Sequence, residues 1–188
     1  LARRVGGAKI TGVEVQRELV HLAAENIAEN ELGERVEVMM GDLQRPPPRL
    51  VPRSFDHVMA NPPYFDDPSV LRAPSPAKSG AWMADGGLVA WTAFCLKAVR
   101  EGGTITLIHR ADRLADILDL LAPKAGSFRI RPVAPFVDAP AKRVIVRAIK
   151  TGKAPLVLLP PLVMHDREGG KHAARAEAIL RGALDLSW

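Results

Sequence analysis

Phe55-Asp56-His57-Val58-Met59-Ala60-Asn61-Pro62-Pro63-Tyr64 is the stretch on which the reading of this chain turns. Phe55 to Ala60 reads as a buried strand, and it runs straight into an amide, two prolines and an aromatic ring. Proline disfavours the α region for the residue before it, so Asn61 and Pro62 are expected to be extended. Neither proline carries an N–H, so nothing local competes for the Asn61 side chain or the Pro62 carbonyl. Both oxygens can therefore act as acceptors at a strand end. A primary amino group on an aromatic ring is a poor nucleophile because its lone pair is delocalised. Two fixed acceptors on its two N–H groups favour a pyramidal nitrogen with the lone pair free. That is preorganisation plus stabilisation of developing positive charge. Tyr64 can stack on the ring, a contact worth roughly 1–3 kcal/mol for other base-stacking aromatics. A plain proline turn is the competing reading.

Working outward, strands and helices alternate. Lys9 to Val15 is β-rich, and Gln16 to Glu31 carries a helical apolar stripe (Leu19, Val20, Leu22, Ala23, Ile27, Ala28) closed by Gly33. Val36 to Met40 is a second buried strand, and Gln44 to Arg53, with its prolines and arginines, is a loop. Residues 65–85 show no period, which suits a lid, a binding loop or a disordered segment; Trp82 and Met83 fit either a lid or burial against the Trp91 helix. Gly87 to Arg100 is a helix capped by Glu101-Gly102-Gly103. Thr104 to His109 is a strand, and Asp112 to Leu121 a helix. Phe128 to Val133 and Arg143 to Ile149 are expected to form an antiparallel pair. Leu156 to Met164, broken by Pro160 and Pro161, suits an edge strand or an extended arm. Ala173 to Arg181 is a last helix capped by Gly182. Leu1 to Gly7 reads as the final turn of a helix with a glycine cap.

This order predicts one α/β domain over residues 1–188, with a mixed, mostly parallel sheet, helices on both faces and the antiparallel pair at its C-terminal end. Ligands of such sheets bind beyond the carboxyl ends of the strands. Glu14, Asp42, Asn61 and His109 all fall at predicted strand ends. A strand-end carboxylate at Glu14 can accept both hydroxyl protons of a ribose. Asp42 can accept from an adenine amino group while Leu43 packs on the ring. The alternatives are a solvated acid at Glu14 and a turn aspartate at Asp42.

Asn61-Pro62-Pro63-Tyr64 resembles the (D/N)PP(Y/F) motif of S-adenosylmethionine-dependent amino-group methyltransferases, a motif shared by enzymes acting on DNA, RNA and protein glutamine. With Gly103 to Leu114, Ala141 to Lys150 and Leu158 to His165, the chain resembles the bacterial tRNA1(Val) adenine-37 N6-methyltransferase family. The resemblance covers nearly the whole chain. It implies a Rossmann-like class I methyltransferase fold, S-adenosyl-L-methionine as cofactor and tRNA as partner. It implies Asn61, Pro62, Pro63 and Tyr64 as catalytic residues, and Glu14, Asp42, Leu43 and Asn61 around the cofactor. It places His109 and Arg110 near the substrate mouth. Arg110, Arg113, Lys142 and Arg143 are candidates for substrate phosphate contacts, as are Arg45, Arg49 and Arg53 between prolines, and solvated surface charge is the competing reading. The family's first strand and its glycine-rich loop have no counterpart, since Gly6-Gly7 precedes the Glu14 strand. The expectation is a sequence truncated at its N-terminus, with an unpaired gap inside the sheet. Asp85-Gly86-Gly87 does not align clearly with the family.

Composition narrows the alternatives. One cysteine, Cys95, excludes an internal disulfide framework and a multi-cysteine zinc site, and it sits in an apolar helical pattern as a small hydrophobe. No apolar run is long enough to span a bilayer and no signal peptide is visible, so the default expectation is a cytoplasmic protein without membrane or metal. A net charge of +5 allows a polyanionic partner. Methylation of a protein glutamine or of a small-molecule nitrogen or oxygen remains open, as does an RNA-binding module without activity.

Overall fold

The computed structural model describes residues 1–64, 87–168 and 171–188. The expected 65–85 loop, with Trp82, Met83 and Asp85, lies outside the described residues. The chain divides into two compact units, Leu1–Leu50 and Val51–Trp188.

The first unit is one strand–helix–strand crossover. Strand β1 (Ile10–Glu14) pairs in parallel with β2 (Val36–Met40), and helix α1 (Arg17–Glu29) connects them. Ile10 faces Val36 and Glu14 faces Met40 in the ladder. Three local expectations are corrected. Leu1 to Gly7 makes the expected single turn, with the N–H groups of Arg4 and Val5 donating to the Leu1 carbonyl, but without the glycine cap, since neither Gly6 nor Gly7 adopts positive φ. Helix α1 ends at Asn30 with Glu31 in the left-handed region (φ 55°), so Gly33 is not its cap. The stripe of α1 buries no residue completely, and β2 is half-buried instead of buried. Gly41 is required by its neighbour: a Cβ there would lie 2.4 Å from the Pro47 ring.

The second unit holds a six-stranded mixed sheet in the order β3-β4-β6-β5-β7, with β8 also on β5. Its strands are β3 (Phe55–Ala60), β4 (Val99–Arg110), β5 (Ala125–Ala134), β6 (Arg143–Lys150), β7 (Val157–Leu158) and β8 (Leu162–Val163). The helices are α2 (Gly87–Ala98), α3 (Leu114–Leu121) and α4 (Ala174–Arg181). β3 and β4 run parallel, with Ala60 opposite Leu107. β6 is antiparallel to both β4 and β5, which bears out the expected C-terminal pair. The two proline-separated pieces β7 and β8 each pair with β5, as the edge-strand reading predicts. Gly182 caps α4 with φ 78°.

The core follows from alternation along β4 and β6. Ile105 and Leu107 of β4 and Val144, Val146 and Ala148 of β6 are buried, together with Cys95 of α2 and Ile117 and Leu121 of α3. Burying such a side chain stabilises by roughly 1.5–3 kcal/mol each. β3 is corrected from buried to half-buried: Asp56, His57 and Met59 are exposed, because β4 is its only strand partner among the described residues. β1 and β2 form one sheet, and β3 to β8 the other.

The expected glycine cap after α2 is also corrected. The helix stops at Ala98, and Glu101-Gly102-Gly103 lies inside β4. The terminal carbonyls find a different donor. The buried Lys150 ammonium donates to the Leu96 and Val99 carbonyls at 2.9 Å each and reaches Glu101 Oε1 at 3.2 Å. A lysine from a distant strand thus satisfies groups that a cap would otherwise serve.

Candidate active site

In the second unit the parallel β3–β4 register carries Asn61 and His109 to the same, carboxyl, end of the two strands. Asn61 is exposed, Pro62 is buried, and Pro63 and Tyr64 are half-buried. The chain here is fastened by His109. Its Nε2 lies 3.1 Å from the Pro63 carbonyl oxygen, and because a carbonyl only accepts, Nε2 must carry the proton. The imidazole also meets the Tyr64 ring edge-on, with centroids 5.5 Å apart and planes at 86°. Among the described residues no hydrogen bond engages the Asn61 carboxamide or the Pro62 carbonyl. Among the described residues the two acceptors singled out from the sequence are therefore uncommitted, and the third oxygen, on Pro63, is tied down by His109.

His109 is only 1% exposed. This refines the expectation of a substrate-mouth residue: its side chain supports the motif from within. Ile105, Leu107 and His109 occupy alternate positions of β4, so all three point to the buried face. That period-two signal was available in the sequence.

Arg143 enters from β6. The β4–β6 ladder sets Arg110 directly opposite Arg143, and like charges in that position repel. Each finds relief elsewhere. Arg110 forms a two-pronged ion pair with Asp112, through Nε at 3.0 Å and a second short contact. The hydrogen bond from Arg110 holds the Asp112 carboxyl below the usual value of 3.8, and Asp112 raises Arg110 in return. Arg143 lies over the Tyr64 ring, its guanidinium carbon 5.4 Å from the centroid. Such a contact is worth roughly 0.5–1 kcal/mol at an exposed site. The pairing of Tyr64 with both Arg143 and His109 had no signature in the sequence, since the three residues meet only through the register of three strands. Arg113 is paired with Asp116 at 2.5 Å, while Lys142 is exposed.

In the first unit Glu14 and Asp42 lie at the carboxyl end of the β1–β2 pair, where the Gly41 N–H donates to the Glu14 carbonyl at 2.9 Å. Glu14 Oε1 accepts from the Gln16 N–H at 2.8 Å, just before α1. Asp42 Oδ1 accepts from the Gln44 N–H at 2.8 Å, the turn geometry that a Gly-Asp pair allows. Each carboxylate thus spends one oxygen on its own loop, which holds it in place, and presents the other. Both acids and Leu43 are half-buried. Arg45, Arg49 and Arg53 are exposed.

Among the described residues no group of histidine, cysteine and acidic side chains could hold a metal ion, and no helix is long and apolar enough to cross a membrane.

No protein-family model and no curated protein matches the chain. Solved structures do. A predicted O-methyltransferase from Agrobacterium tumefaciens superposes over 96% of this chain and 81% of its own, with a TM-score of 0.77 and 23% identity. The methyltransferase subunit of a type I restriction-modification system from Streptococcus thermophilus matches 91% of this chain with a TM-score of 0.60 and 15% identity. The hMettl16 catalytic domain, solved in complex with a MAT2A 3′UTR hairpin, matches 83% with a TM-score of 0.57 and 17% identity. This chain spans 41% and 60% of the latter two. At these identities the likeness is one of fold, and with the mixed sheet and its C-terminal antiparallel pair it gives the chain the Rossmann-like class I methyltransferase fold.

Proposed function

We propose that this chain transfers a methyl group from S-adenosyl-L-methionine to an exocyclic amino group, and that the acceptor is an adenine N6 in tRNA. The observation that carries the reading is the state of the Asn61-Pro62-Pro63-Tyr64 segment. It ends a strand, its Pro63 carbonyl is anchored by His109, and its two forward acceptors are uncommitted among the described residues. Asn61 Oδ1 and the Pro62 carbonyl would take the two N–H groups of the acceptor, and Tyr64 would stack on its ring. The base must leave its stack to reach them. No catalytic base is needed, because the methylated amine is acidic enough to lose its proton to water. A hydroxyl offers one proton to two acceptors, so oxygen methylation suits this geometry less.

The cofactor supplies the reactive methyl on its sulfonium. The residues present fit it by their chemistry. Glu14 Oε2 and Asp42 Oδ2 are left over from the two loop hydrogen bonds, suited to a ribose diol and an adenine amino group respectively. Leu43 would pack on the adenine. Arg143 supplies positive charge beside Tyr64, and the exposed Lys142 precedes it in the chain, which suits a phosphate backbone. Arg110 contributes less, because Asp112 already compensates it.

A second reading, methylation of a protein glutamine or a small-molecule acceptor, draws support from the O-methyltransferase among the similar structures. Labelled methyl transfer to unmodified tRNA, to a glutamine peptide and to catechol-type acceptors separates the readings. The expected result is label in tRNA, recovered as N6-methyladenosine and lost in Asn61→Ala. Label in the peptide alone overturns the acceptor, and full activity of Asn61→Ala overturns the mechanism.

A further inference from the structure

A cavity of about 650 Å³ opens in the second unit at the end of β4 and β6 opposite the Tyr64–Arg143 contact. The two places are separated by the length of β6, since Arg143 and Lys150 are its first and last residues. At the rise of a strand that is about 24 Å. The cavity therefore sits outside the strand ends where this fold class holds its ligands.

Its rim is cationic. Arg53, Lys97, Lys124 and Lys150 line it against a single acid, Glu101. Lys150 and Glu101 are committed to each other and to the end of α2. The Lys97 carbonyl is taken by the backbone N–H of Arg53 at 3.0 Å. Arg53, Lys97 and Lys124 are exposed, and none has an ion pair with a described residue. Three cations around one concavity, without an acidic partner among the described residues, repel one another, and that arrangement is relieved by a multiply charged anion. One side is different in character: the exposed Val89 and Ala93, the half-buried Leu120 and the buried Leu96 make it apolar. A volume of this size lies in the range of small-ligand sites.

We propose that this cavity is a second binding site, for an organic polyphosphate whose apolar body lies on the Val89–Leu96 wall and whose clustered phosphates meet Arg53, Lys97 and Lys124. A free nucleotide and the backbone of an RNA both offer phosphates. The concave shape and the apolar wall favour the former, since a backbone phosphate has no apolar body to bury. The proposal stands independently of methyl transfer, and its test reads binding alone.

The test is calorimetric titration of the full chain with ADP, sodium tripolyphosphate and decauridylate. The variants are Arg53→Gln/Lys97→Gln/Lys124→Gln, Ala93→Trp and Asp42→Ala. ADP and tripolyphosphate should each bind saturably at one site and lose about tenfold or more in affinity in the triple variant, with a shallower salt dependence. Ala93→Trp fills the wall and should weaken ADP more than tripolyphosphate, while Asp42→Ala should leave tripolyphosphate unchanged. The proposal is overturned if neither small anion saturates, if the triple variant binds them as the parent does, or if ADP affinity depends on Asp42 and not on the triple substitution. It is also overturned if only decauridylate responds to the triple variant.

Discussion

Replacing His109 tests whether the motif is held from behind. His109→Phe keeps a ring of similar shape against Tyr64 and removes the donor to Pro63. The Pro63 carbonyl is half-buried, so losing its partner should cost about 1 kcal/mol, within the 0.5–1.5 kcal/mol of an ordinary hydrogen bond. His109→Ala loses that bond, the edge-on ring contact and a side chain that is almost wholly buried. Emptying such a site should cost about 3 kcal/mol or more. Urea unfolding of the three proteins gives both numbers from the shift in midpoint at constant m-value. Activity should respond differently from stability. His109→Phe should retain cofactor binding and lose methyl transfer by more than its stability loss implies, because the Asn61 and Pro62 acceptors are no longer fixed. His109→Gln, which can offer an amide N–H, should recover part of it. If His109→Phe unfolds like the parent and transfers methyl at the parental rate, the anchoring argument is wrong.

Other outcomes follow from particular contacts. Lys150→Met leaves the Leu96 and Val99 carbonyls without their ammonium and should lower stability by about 2–4 kcal/mol, read by the same unfolding assay. Gly126→Ala places a Cβ 2.3 Å from the Gly152 carbonyl oxygen, so the β5–β6 pair must shift, at a cost of roughly 1–3 kcal/mol. Burial pushes the Cys95 thiol from 9.0 up to about 12, so a disulfide reagent at pH 8 should react only after urea unfolds the chain. Because the folded value is the higher one, that thiol's contribution is complete below pH 9.0 and is lost as pH climbs toward about 12. On the acid side, Arg100, Arg110, Arg167 and Arg181 hold Asp56, Asp112, Asp138 and Glu177 below their ordinary values. Their contribution is present above those values and fades as pH falls through the lowered ones, and added salt should blunt the effect.

The elements were legible because apolar periodicity survives in each of them. β2 was placed with its observed bounds, and the antiparallel β5–β6 pair and the proline-broken edge were recognised from alternation and from the missing N–H groups of Pro160 and Pro161. What sequence reading missed was how the ends are satisfied. Glu101-Gly102-Gly103 has the composition of a helix cap, and a local rule reads it so. Lys150, nearly fifty residues later, removes the need for one. Burial was overestimated for β3 because apolar content does not say how many strands flank it, and among the described residues only β4 does.

The candidate site divides along the same line. Asn61, Pro62, Glu14 and Asp42 were legible because their chemistry is local: prolines remove donors, and strand-end carboxylates face a loop. Here the modest and the functional reading of the two acids turn out to be compatible. A hydrogen bond from Gln16 or Gln44 to one carboxylate oxygen costs the other oxygen nothing, and it fixes the direction in which that oxygen can accept. The residues that sequence reading could not assign are the ones acting across strands. His109 reaches Pro63 over 46 positions, and Arg143 reaches Tyr64 only because β6 inserts beside β4 in the sheet. Arg143 therefore has two possible duties, supporting the Tyr64 ring and meeting a phosphate, and they make opposite demands. A guanidinium withdrawn to a phosphate leaves the ring, while one kept on the ring stays where the stacked base needs a rigid partner. Arg143→Lys separates them, since lysine keeps the charge and loses the planar stack. Loss of methyl transfer with RNA affinity intact in Arg143→Lys assigns Arg143 to Tyr64, whereas retention of both in Arg143→Lys and loss of RNA affinity in Arg143→Gln assigns it to the phosphate.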